Sequence, residues 1–144
     1  MFTEEFAYAG GEEEDDAPES IGRGRDPAVL IVEDERVARR ALSALLSASG
    51  YATEAAGSAE EALSLLKNHP APRVALVDLN LPGMSGLDFI RRLGQLNPTT
   101  IPVLMTAATD DTLAAALHEN EHDRPVACLR KPLDFQRLLT VLGQ

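Results

Sequence analysis

The sequence predicts an α/β protein, a (βα)5 doubly wound sheet of five parallel strands with helices on both faces. Three observations carry that prediction. Over residues 28–144, five short runs rich in Val, Ile, Leu and Ala alternate with five segments of helical periodicity, and regular alternation of this kind implies parallel strands joined by right-handed crossovers. Four of the five runs are apolar throughout, the pattern of strands covered on both faces. Several of them stop abruptly on an acid, a hydroxyl or a lysine, at the end of the strand where open α/β sheets keep their ligand crevices.

The first 27 residues stand apart from this pattern. They hold nine acids, among them the run Glu12 to Asp16, against Arg23 and Arg25, so they carry −7 of the chain's formal −10. Such a segment cannot offset its ordering entropy by burial, and residues 1–27 are expected to be an acidic disordered tail. Residues 28–144 form one domain, large enough for a single core. With 4% aromatic residues and no Trp, that core must rest on aliphatic side chains.

The elements follow in order. Ala28-Val-Leu-Ile-Val32 is a continuous apolar strand ending on Glu33-Asp34-Glu35. Val37, Ala41, Leu45 and Ala48 then recur at helical spacing beside Leu42 and Leu46, and Gly50 supplies a stop. Tyr51 to Ala55 alternates as a second strand. Ser58 with Glu61 three residues later makes a capping box for a helix reaching Asn68, closed by Pro70 and Pro72. Val74 to Asp78 is the third strand, Pro82, Gly83 and Gly86 mark a turn, and a helix runs over Leu87, Ile90, Leu93 and Leu96. Ile101 to Met105 is the fourth strand, leading into Thr106-Ala107. An Ala-rich helix spans Asp110 to Glu119, Val126 to Leu129 is the fifth strand, ending in Arg130-Lys131-Pro132, and Leu133 to Leu142 is the last helix.

Composition excludes several classes. The domain carries only −3 and shows no basic stripe, which argues against direct nucleic-acid binding. No apolar run approaches the roughly 18 residues of a membrane span, and no basic start with an apolar stretch marks a signal peptide. Cys128 is the only cysteine, so no intrachain disulfide can form. A cytoplasmic protein with no membrane partner is expected.

The strand ends concentrate the chemistry. Strand one ends in Glu33-Asp34, strand three in Asp78, strand four in Thr106 and strand five in Lys131. Three carboxylates in one crevice repel, and a hard divalent cation, Mg²⁺ above all, relieves this with oxygen ligands. Carboxylates, a metal, a hydroxyl and a lysine are the parts phosphoryl transfer uses, and an aspartate can itself be the nucleophile that becomes an acyl phosphate. The plainer readings take Glu33-Asp34-Glu35 as an acidic helix start, Asp78 as a loop cap, Thr106 as a strand-end hydroxyl and Lys131 as a solvated lysine. Each stands alone easily, but all four are needed together. His118 and His122, at i and i+4, lie among acids that look like a solvated helix end, and His69 beside Pro70 reads as surface.

The motifs Ile-Val-Glu33-Asp34-Glu35, Val-Asp78-Leu-Asn80-Leu-Pro82-Gly-Met-Ser-Gly86, Leu-Met-Thr106-Ala107 and Lys131-Pro132 resemble those of response-regulator receiver domains of two-component phosphorelays, from about Ala28 onward. The resemblance implies a flavodoxin-like fold with strand order 2-1-3-4-5 and a Lys131–Pro132 bond that is often cis. It implies that Asp78 accepts a phosphoryl group from a histidine kinase or phosphotransfer protein. Asp34, Asp78 and the Asn80 carbonyl would bind Mg²⁺, with Glu33 acting mainly through water, and Thr106 and Lys131 would hold the phosphoryl oxygens.

Three positions depart from the family. Cys128 stands where a Tyr or Phe is frequent, Asn120 to Pro125 replaces a shorter approach to the last strand, and Ala108 offers no side chain to position or block an attacking water. Cys128 itself reads as a buried strand residue. The chain stops soon after its fifth helix, so the expectation is a stand-alone receiver, not an enzyme on other substrates. It would act on a downstream protein, a homodimer being one form of such contact. Two rival readings remain: a phosphorylation-independent scaffold or dimerisation module, and a Mg²⁺ phosphohydrolase with an aspartyl nucleophile. For the second, Asn80 stands where a general acid is wanted.

Overall fold

The computed structural model describes residues 28–107, 109–119 and 127–143. The expectations about the acidic tail over 1–27, about Ala108, and about residues 120–125 with His122 lie outside the described residues. The elements are β1 (Ala28–Val32), α1 (Arg36–Ala48), β2 (Ala52–Ala56), α2 (Ala59–Asn68), β3 (Val74–Asp78), α3 (Gly86–Leu96), β4 (Ile101–Thr106), α4 (Asp110–Glu119), β5 (Ala127–Arg130) and α5 (Phe135–Gly143). The five strands are parallel in the order β2-β1-β3-β4-β5.

The sheet divides the core into two layers. Leu30, Val32, Ala75, Val77 and Leu104 point to one face and pack with α2, α3 and α4 through Ala59, Ala62, Phe89, Ile90, Leu93 and Leu113. Val29, Ile31, Leu76, Val103 and Met105 point to the other, against Leu42 and Leu46 of α1 and Leu138 and Leu142 of α5. Successive residues alternate between layers, as the pleat requires, and both layers exclude water. That is why β1, β3 and β4 had to be apolar at nearly every position.

Several local boundaries differ from the sequence reading, each for a hydrogen-bonding reason. Tyr51 is not the first residue of β2, because its N–H donates to Leu46 O and finishes α1 instead. Gly50 follows as the left-handed residue after that helix, at φ 99°. The last helix starts at Phe135 and not Leu133, because Asp134 Oδ1 accepts from the N–H groups of Gln136 and Arg137 and so caps it. β5 extends to Arg130, which pairs with Thr106. At α2, Ser58 Oγ accepts from Glu61 N as expected, but Glu61 Oε1 reaches back to Gly57 N, one residue before the cap. On α1, Leu42 and Leu46 are the buried residues, while Val37 is 74% and Leu45 47% exposed. Leu96, at the end of α3, is also exposed.

Register then sets the site. Val32 lies beside Val77, so Glu33 comes abreast of Asp78. Asp78 lies beside Met105, and Thr106 beside Arg130, so Thr106 and Lys131 follow one step beyond. All five strands stop at one edge, and the Lys131–Pro132 bond there is cis.

Candidate functional site

The strand-end residues meet in one crevice. Lys131 Nζ donates to Glu33 Oε1 at 2.7 Å and to Asp78 Oδ2 at 3.0 Å, joining the ends of β5, β1 and β3. Lys131 is brought there partly by its own backbone, whose N–H donates to Thr106 O at 2.8 Å. Thr106 is fully buried at the end of β4, Glu33 is 1% exposed and Asp78 7% exposed. Asp34 and Asn80 stand at the exposed rim.

The other carboxylate oxygens are also placed. Asp78 Oδ1 accepts from Asn80 N at 3.1 Å, and Glu33 Oε2 accepts from Glu35 N at 3.1 Å. Among the described residues, the Asp34 carboxylate takes part in no hydrogen bond or ion pair. One carboxylate oxygen each from Glu33, Asp34 and Asp78 lies within 4.8 Å of the others. Three carboxylates against the single Lys131 ammonium leave a formal −2, and the donors are all hard oxygens. Charge and donor type both fit one divalent cation of the Mg²⁺ kind.

Burial raises the Glu33 carboxyl above its ordinary value, and the neighbouring Asp78 charge adds to this; the Lys131 and Glu35 hydrogen bonds pull the other way without cancelling it. For Lys131, burial alone would lower the ammonium, but the bonds to Glu33 and Asp78 outweigh it and hold the group above its usual value. The lysine is therefore a fixed cation at any physiological pH.

Two features near the site had no signal that composition or periodicity could supply. Gly86 reads in the sequence as turn punctuation, yet a Cβ there would lie 2.2 Å from Asp78 O and 2.9 Å from Leu79 Cα. The β3–α3 loop folds back over Asp78, with Gly86 N donating to Leu79 O, and only glycine fits that approach. Arg39, on the first turns of α1, sends Nη1 to Glu33 O at 2.9 Å.

The remaining candidates disperse. Cys128 is a strand residue but half-buried, not buried; it packs against the α2–α4 layer and lines a groove of about 420 Å³ with Arg130, Pro132 and Arg137. Burial raises its thiol above the ordinary value. His118 is exposed, and His69 is exposed and pairs with Glu54. Among the described residues no helix is long and apolar enough to cross a membrane.

Comparison with known proteins converges on one family. The family model described as "Response regulator receiver domain" matches residues 29–143. An uncharacterized response regulatory protein of Vibrio cholerae is 36% identical over 77% of this chain and 45% of its own length. A cyclic di-GMP phosphodiesterase of Thermotoga maritima is 34% identical over 76% of this chain and 28% of its own. The chain thus spans less than half the length of these curated relatives. Among solved structures, the signal receiver domain of an HD domain-containing protein from Pseudomonas fluorescens superposes with a TM-score of 0.73. It is 33% identical and covers 83% of this chain and 94% of that one.

Proposed function

Since the chain belongs to the response regulator receiver domain family, we propose that it is a Mg²⁺-dependent phosphoacceptor that takes a phosphoryl group on Asp78 from a histidine kinase or phosphotransfer protein. The observation that carries this is the Lys131 ammonium held between Glu33 and Asp78, with buried Thr106 at the adjoining strand end. An Asp78 carboxylate oxygen attacks phosphorus, the bond from phosphorus to the donor's imidazole nitrogen breaks, and an acyl phosphate forms. Lys131 already touches Asp78 Oδ2, so it stands where charge gathers on the transferred group. Thr106 supplies a hydroxyl from the neighbouring strand. Asp34, Asp78 and the Asn80 carbonyl would hold the Mg²⁺, with Glu33 assisting through water, and a bound Mg²⁺ supplies charge neutralisation of the phosphoryl oxygens.

Once formed, the acyl phosphate removes Asp78's carboxylate as the partner of Lys131. The buried contacts at the ends of β3, β4 and β5 must then redistribute, and the surface beside them changes for a downstream protein. Cys128 has less volume to sweep than an aromatic side chain, so Thr106 and the β4–α4 edge would carry more of that change. This reading places the protein in the cytoplasm, where phosphodonor partners act.

The test is intact-mass analysis after incubation with acetyl phosphate and Mg²⁺. A single phospho-adduct that is lost on Asp78→Asn is expected. No adduct from acetyl phosphate or any kinase would favour a scaffold without phosphorylation, and steady turnover of phosphomonoesters would point to a hydrolase.

A further inference from the structure

The acidic turn between β1 and α1 presents Asp34 to the site, yet little fixes it. Glu35 caps α1 with no side-chain hydrogen bond. Among the described residues the Asp34 carboxylate has no partner of its own. Its position is therefore decided by the backbone that carries it. That backbone is tied at its start by Glu33 N donating to Ala56 O, and within the turn by Glu35 N donating to Glu33 Oε2.

Beyond the helical bond from Arg39 N to Glu35 O, which closes the turn at its far end, a further tie is the Arg39 side chain. Its Nη1 donates to the carbonyl oxygens of both Glu33, at 2.9 Å, and Asp34, at 3.4 Å. Arg39 is half-buried, and its guanidinium lies beside Gly57 of the β2–α2 loop. A Cβ at Gly57 would come within 2.9 Å of Arg39 Nη1 and 3.5 Å of its Cζ, so the glycine leaves the space the guanidinium fills. Gly57 N is meanwhile satisfied by Glu61 Oε1 at 2.8 Å, which fixes the floor of that space.

We propose that Arg39, seated over Gly57, is a positioning residue that holds the Glu33–Asp34 backbone in the geometry the divalent cation requires. The inference rests on the Mg²⁺ reading above. Charge alone predicts the opposite effect, since deleting a cation beside a cation site would tighten metal binding. The sign of the change thus separates position from charge. Gly57→Ala gives a second handle, because it displaces the flexible end of Arg39 while keeping its charge.

The experiment is calorimetric titration with Mg²⁺ alone on the wild type, Arg39→Gln, Gly57→Ala and the double variant, each first shown to fold by a thermal melt. Outer partners of metal ligands commonly matter about 10–100-fold, so each single variant should bind at least about tenfold more weakly. The double variant should bind no more weakly than Arg39→Gln, because both changes remove the same contact. Acetyl phosphate labelling at saturating Mg²⁺ should return to within a few-fold of wild type, separating metal affinity from phosphoryl transfer. Folded single variants with wild-type or tighter affinity would overturn the proposal while leaving the Mg²⁺ site intact. A wild type that binds no Mg²⁺ would overturn the site reading and this proposal together.

Discussion

Lys131 Nζ lies 2.7 Å from Glu33 Oε1 although 98 residues separate them in the chain. The contact ties the last strand to the first at a point where Glu33 is almost wholly removed from water, and the same ammonium reaches Asp78. A buried acid is tolerable only with such a partner.

Lys131→Met should therefore act on stability and chemistry together. It leaves two poorly hydrated carboxylates without their cation, but the lysine is 27% exposed and water can enter in its place. The expected loss is about 1–3 kcal/mol at neutral pH, below the figure for a fully buried pair. Labelling of Asp78 by acetyl phosphate should slow by roughly 10²-fold, in the range seen when one charge-stabilising donor is removed. Urea melts and single-turnover labelling measure the two effects separately.

Mg²⁺ should stabilise the fold. A ligand that binds only the native state at 100 times its dissociation constant adds about 2.7 kcal/mol. A rise in Tm with Mg²⁺, reversed by a chelator, is expected. Asp34→Asn should lose most of that rise, and without metal it should melt no lower than wild type, since it removes one of three mutually repelling charges.

The pH dependence of the metal-free protein follows from Glu33. Its folded pKa is raised, chiefly by burial, so its contribution to stability is fully present below the ordinary glutamate value and is lost as the pH climbs through the raised one. Wild-type stability should thus fall relative to Glu33→Gln as the pH climbs from the ordinary glutamate value through the raised one. Paired melts across that range would show a flat difference if Glu33 titrated normally.

Gly86→Ala should be costly out of proportion to one methyl group. The new Cβ meets the Asp78 carbonyl at 2.2 Å, and backbone cannot swing aside as a side-chain end can. A loss of about 1–3 kcal/mol or more is expected from overpacking. Because the displaced atoms belong to Asp78 and Leu79, labelling should fall in the fraction that still folds. Gly94→Ala, where a Cβ meets nothing within 4 Å, is the control.

Cys128 should be a slow nucleophile. Its thiol is raised by burial, so alkylation by iodoacetamide should accelerate only at a pH above that of the same cysteine in urea-unfolded chain. With a single cysteine in the sequence, adduct mass reports this position alone. Coincident pH profiles in the folded and unfolded states would rule the burial effect out.

The sequence by itself determined the sheet and its ends. Continuous apolar runs such as Val29–Val32 and Val74–Val77, alternating with helical segments, fit strands buried on both faces of a parallel sheet, and the shared strand direction then brings their carboxyl ends to one edge. Glu33, Asp34, Asp78, Thr106 and Lys131 were therefore legible as one set before any coordinate. What only the tertiary structure decided were contacts between parts that no local pattern relates. Among them are the side of α1 that Leu42 and Leu46 bury while Val37 turns outward. Others are the closeness of Gly86 to the Asp78 carbonyl and the passage of Arg39 over Gly57 to the Glu33 carbonyl. Periodicity records which residues avoid water, because burial acts on each residue singly. A glycine that makes room, or an arginine that reaches a carbonyl, acts on a pair, and the pair exists only once the chain has folded.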